Sequence, residues 1–206
     1  MSKKIHSPDS NYKIQLIFPV PIHIVDVSDY GGIRNKLIQF VYDEMERDPK
    51  GTLVSNKGGW QSKSFKIDRP DNLLHSTIAK AVGGIPCFRE GIETKIHGWM
   101  NVNGVGDYNR SHVHPGCDLS GILYIKCAKN SGKVVFDSPY TFSAWREIFS
   151  YSKEFRNKTN YYNLYKFHPL EGRMIVFPSH LRHCVEENES DEDRISIAFN
   201  LNLSDK

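Results

Sequence analysis

Along the first half of the chain, the apolar positions change period. Residues 13–25 carry Ile14, Leu16 and Phe18, then Ile22 and Ile24, in partial alternation, and Pro19 and Pro21 mark the stretch as an edge strand. From Gly32 to Arg47 the spacing becomes helical, with Ile33, Leu37, Phe40, Val41 and Met45 on one stripe and Pro49-Lys50-Gly51 as the stop. Residues 55–62 form a glycine-bearing loop. A second helix follows, with Asp71 as its cap, Leu74, Ile78 and Val82 on its buried side and Gly83-Gly84 as its end.

After Thr94 the pattern is strand and turn. The predicted strands are 95–102, 108–114, 119–126, 132–137, 165–168, 172–178 and 194–203, with an aromatic, partly helical insertion over 140–158. Helices first and short strands afterwards make an α+β chain with a barrel or sandwich body. The expected organisation is one domain, 1–206. A disordered tail covers 1–11, helical support and an entrance loop cover 13–93, and the β body covers 94–206.

Composition narrows the class. The 206 residues suffice for a core, and 39% hydrophobic against 25% charged is ordinary globular usage. A net charge of +3 with no Lys/Arg block gives nucleic acid no support as a partner. No apolar run is long enough to span a bilayer and no secretory leader is evident. Cys87, Cys117, Cys127 and Cys184 form no C-x-x-C pair, so reduced thiols and a cytoplasmic setting are expected.

The candidate chemistry lies in the β body. His112 and His114, at i and i+2 of a predicted strand, share a face, and a third histidine from another strand would close one side of a metal. His183 is the expected third ligand, with His180 as its competitor. Eleven residues past His183 comes Arg194-Ile-Ser196-Ile-Ala-Phe199. Alternation puts Arg194, Ser196 and Ala198 opposite Ile195, Ile197 and Phe199, and an inward guanidinium asks for a buried anion. The competing partner for Arg194 is the acidic run from Glu186 to Asp193. Trp99 reads as a core aromatic, Asn101 and Asn103 as strand polars within reach of a ligand, and Trp60-Gln61 as part of an entrance.

On these residues the chain resembles the 2-oxoglutarate/iron(II)-dependent oxygenase superfamily. The resemblance rests on His112-x-His114, the distal His183, Arg194-x-Ser196 and Leu119-Ser-Gly-Ile-Leu-Tyr124. Ser55-Asn-x-Gly-Gly-Trp60-Gln-Ser62, His114-Pro115 and Phe177-Pro178-Ser179 are similar to a smaller subfamily from bacteria and their phages. The resemblance implies a double-stranded β-helix (jelly roll), of the prolyl-hydroxylase kind, with the N-terminal helices packed against it. It implies Fe(II) on His112, His114 and His183, 2-oxoglutarate held by Arg194, Ser196, Tyr124 and Asn101, dioxygen as co-substrate, and hydroxylation with release of succinate and carbon dioxide.

One departure matters. The superfamily's usual carboxylate ligand is replaced by His114, which leaves Asp118 as an alternative third ligand. A metal cupin without 2-oxoglutarate is also similar in its spacing. A non-catalytic β-sandwich module is a further alternative. The primary substrate and the oligomeric state, homodimer included, stay open.

Overall fold

The computed structural model describes residues 15–140 and 150–205. The expected tail 1–11 and the first part of the insertion, residues 141–149, lie outside the described residues. The chain runs through β1 (His23–Asp26), α1 (Tyr30–Arg47), three two-residue strands β2 (Asn56–Lys57), β3 (Trp60–Gln61) and β4 (Phe65–Lys66), then α2 (Leu73–Gly83). There follow β5 (Ile92–Asn103), β6 (Tyr108–His112), β7 (Leu119–Lys126), β8 (Val134–Asp137), α3 (Lys153–Thr159), β9 (Leu164–Phe167), β10 (Arg173–Pro178), β11 (His183–Val185) and β12 (Arg194–Asp205).

The strands pair antiparallel in two sheets. The larger has the order β1-β10-β7-β12-β5-β3, with β4 also on β5; the smaller has the order β2-β6-β11-β8-β9. The proline-flanked β1 is an edge strand, as its prolines predict, although only the last three residues of the 13–25 stretch, followed by Asp26, enter the ladder.

Period-two alternation sorts the large sheet's residues between two cores. Leu123, Ile125, Met174, Val176, Ile195, Ile197, Phe199 and Leu201 face the helices and pack with Leu37 and Val41 of α1 and Leu74, Ile78 and Val82 of α2. The alternate residues Ile122, Tyr124, Ile175 and Phe177 pack instead with Val134 and Phe136 of the small sheet. Strands buried on both faces read as apolar runs, which is why β7 and β10 are almost wholly buried. The side of β12 that carries Arg194 and Ser196 therefore faces the space between the sheets.

Three sequence expectations are corrected. The cap of α2 is Asn72, whose side chain accepts from the N–H groups of Leu74 and His75, rather than Asp71; the two residue types cap equally well, so the pattern left a one-residue ambiguity. Strand β6 ends at His112, so His114 lies beyond it. Pro115 forbids ladder continuation, and the His114 N–H donates instead to Ser179 O at 2.9 Å. His183 opens β11, in keeping with a third histidine carried by a second strand. Trp60 is no entrance: it is 6% exposed, packs in the helix-side core and donates from Nε1 to Asp48 O at 2.8 Å.

Candidate metal and anion site

Two strands of the small sheet bring the histidines together. His183 is the direct cross-strand partner of His112, and the register shifts immediately afterwards. Their ring centroids are 4.4 Å apart, and His114 joins them at 4.9 Å from His112 and 5.2 Å from His183. One ligand nitrogen from each lies within 4.8 Å of the others. The Nε2 atoms of His114 and His183 are 3.4 Å apart. Two imidazoles bound at about 2.1 Å with an angle of 90–109° at the metal put their nitrogens about 3.0–3.4 Å apart. The spacing suits an ion between them.

Protonation agrees with that geometry. His112 Nδ1 faces Arg110 O at 2.7 Å and His183 Nδ1 faces Leu181 O at 2.9 Å. A carbonyl accepts only from N–H, so in both rings Nε2 keeps its lone pair for a ligand. Burial pushes the His183 pKa down to about 3 and that of His114 to about 4, and lowers that of His112. All three are neutral near pH 7, the form that binds metal. His180 is exposed. The Asp118 carboxylate accepts from Leu203 N–H at 2.7 Å and lies outside the cluster.

The large sheet supplies the other half. Ser196 is paired with Asn101 on one side and Tyr124 on the other, so three polar side chains lie in a row across β5, β12 and β7. Arg194 is 1% exposed. Its Nη1 donates to the carbonyl oxygens of Ser131 and Glu186, while its buried Nη2 has no partner. The Tyr124 hydroxyl and Asn101 Oδ1 are also buried without one. Among the described residues no carboxylate pairs with Arg194. Three members of the acidic run are engaged elsewhere: Glu186 with Lys166, Glu192 with Lys126, Asp193 with Tyr42. Burial lowers the Arg194 pKa, yet a guanidinium stays charged. A buried donor left unpaired costs about 1–3 kcal/mol, more for a charged group, so the geometry favours an anion here.

All seven expected residues, His112, His114, His183, Arg194, Ser196, Tyr124 and Asn101, line one cavity. Trp99 lines it too, 5.7 Å from His114, instead of belonging to the core: Met100 and Val102 take the helix side of β5, so Trp99 and Asn101 take the other. Sequence reasoning missed Ser55 and Asn109, which meet at 3.3 Å on the same wall. Their only signal was proximity to the glycine loop and to His112. It also missed Ser131-Gly132. A Cβ at Gly132 would meet Glu186 O at 2.3 Å and Arg194 Nη1 at 2.5 Å, and its φ is +87°. Only glycine lets that turn close over the guanidinium.

Comparison with known proteins comes to the same place. The profile of a family described as "Putative 2OG-Fe(II) oxygenase" matches residues 97–200, half of the chain and all seven residues above. The curated proteins contain no match. Among solved structures, a Pseudomonas putida prolyl-4-hydroxylase is similar over 89% of this chain and 92% of its own, with a TM-score of 0.56 and 12% identity. An oxidoreductase of the 2OG-Fe(II) oxygenase family from Burkholderia pseudomallei covers 85% and 90%, with a TM-score of 0.51 and 14% identity. The alpha-ketoglutarate-dependent carbocyclase SnoK of nogalamycin biosynthesis covers 88% and 79%, with a TM-score of 0.61 and 10% identity. At such identities the likeness is one of fold.

Proposed function

The chain belongs to the 2OG-Fe(II) oxygenase family, and from that premise we propose that it is a dioxygenase that uses iron(II) and 2-oxoglutarate to hydroxylate an organic substrate. In this reading His112, His114 and His183 hold the metal, and Arg194, Ser196, Tyr124 and Asn101 hold the 2-oxoglutarate. The observation that carries it is one cavity with two complementary halves. Three imidazoles converge at one end, and a buried guanidinium with a free Nη2 stands beside an unpartnered phenol at the other.

When bound, the metal and 2-oxoglutarate supply the oxidising chemistry, in which substrate, dioxygen and 2-oxoglutarate give hydroxylated product, succinate and carbon dioxide. The residues bind and orient. Arg194 would offer Nη2 to a carboxylate of 2-oxoglutarate, and Tyr124 and Ser196 would offer hydroxyl donors to the same group. The Ser131 and Glu186 carbonyls hold the guanidinium plane before any ligand arrives. Phe177 and Phe136 pack on the His183 ring at 4.7 and 5.8 Å and would shield that side of the histidine cluster from water. No side-chain general base is required, and among the described residues that line the cavity there is no carboxylate.

The two facing antiparallel sheets, with α1 and α2 against the larger, support a double-stranded β-helix built as one domain. Four unpaired cysteines are in keeping with a reducing, cytoplasmic setting. Among the described residues no helix is long and apolar enough to cross a membrane. The purified chain with iron(II), 2-oxoglutarate and dioxygen should form succinate slowly even without substrate, and no succinate under any iron loading would refute the assignment.

A further inference from the structure

His112 and His183 are each fixed by a strand and by a carbonyl on Nδ1, whereas His114 has neither support. Its backbone is tied to Ser179, but among the described residues its ring has no hydrogen bond except the approach to His183 Nε2. The rings beside it are the other two histidines and Trp99, at 5.7 Å and a 42° tilt. Trp99 is itself firmly placed. It lies within the twelve-residue ladder of β5 with β12, opposite Ala198. Ala198 is small, and it leaves the indole room to lie across the cavity.

We propose that Trp99 is a positioning residue for the metal site, holding the His114 ring by indole packing where the other two ligands are held by backbone hydrogen bonds. This rests on the assignment of the three histidines as ligands. It makes His114 the most adjustable of the three, since packing restrains a ring's rotation less sharply than a hydrogen bond fixes one of its nitrogens.

Cobalt(II), which does not oxidise in air and whose visible spectrum reports ligand number, tests this with the full-length chain. Trp99→Leu should weaken cobalt binding about 10-fold or more and shift the spectrum toward that of His114→Ala. Trp99→Phe should restore most of both, because a flat ring remains. The double variant Trp99→Leu/His114→Ala should bind no more weakly than His114→Ala alone, since a residue acting through His114 has nothing left to act on. Additive losses, or a Trp99→Leu spectrum identical to wild type in a chain that melts normally, would overturn the proposal. If His112→Ala and His183→Ala bound cobalt as well as wild type, the ligand assignment beneath it would fail instead.

Discussion

Ser196 stands between Asn101 and Tyr124 as direct partner of both, and Arg194 lies two residues away on the same face of β12. The row gives one strand position two neighbours from different parts of the chain. The Tyr124 hydroxyl at its end is buried and unpaired. Tyr124→Phe should therefore act in opposite directions. Removing an unsatisfied hydroxyl leaves the ligand-free protein as stable or up to about 1 kcal/mol more stable, while losing a donor to a carboxylate weakens 2-oxoglutarate by about 10- to 100-fold. Thermal melts with and without 2-oxoglutarate read both effects.

Arg194 carries the larger share. Arg194→Lys keeps a charge but cannot serve the Ser131 carbonyl, the Glu186 carbonyl and a ligand with one planar fork. The 2-oxoglutarate requirement should rise by about 30-fold or more, as for a truncated buried charge pair. Metal affinity in the absence of 2-oxoglutarate should stay within about 2-fold, and titration of each component separately checks the split.

Gly132→Ala tests the turn above the guanidinium. The new methyl would meet Glu186 O and Arg194 Nη1 from a backbone with positive φ. Strain alone is worth about 1–3 kcal/mol, and the contacts add to it. Denaturant melts should show at least that loss, with a weaker 2-oxoglutarate dependence than wild type.

The histidines make stability depend on pH. The folded-state pKa values of His183 and His114, about 3 and about 4, lie below the ordinary 6.5. Between those values the unfolded chain binds more protons than the folded one, so stability is full above pH 6.5 and falls as pH drops toward 3. The metal-free protein should lose melting temperature steadily from pH 6.5 to 4. His183→Gln, neutral throughout, should flatten that slope.

Much of this site was legible because it follows period-two arithmetic. Arg194, Ser196 and Ala198 had to face one way if Ile195, Ile197 and Phe199 faced the helices, and they do. His114 joins the histidine cluster from the irregular segment after β6, not from the strand face that the alternation predicted. The choice of His183 over His180 could be made because one follows an apolar strand and the other follows a proline turn. What was illegible is cross-chain. Ser131, Gly132 and Ser55 reach the site through register and turn closure, and Trp60 leaves it because it pairs opposite Val102, on the helix side of β5. Trp99 against Trp60 shows the limit, since both aromatic residues suited either the core or the cavity until the faces of β5 were known.

The most direct measurement is an anaerobic titration of the chain with iron(II) and 2-oxoglutarate, followed by visible absorption. A weak charge-transfer band should appear only when both are present, saturate at one iron per chain, disappear in His112→Ala and His183→Ala, and need far more 2-oxoglutarate in Arg194→Lys. A band that ignores 2-oxoglutarate, or a chain that takes up no iron while correctly folded, would contradict the account.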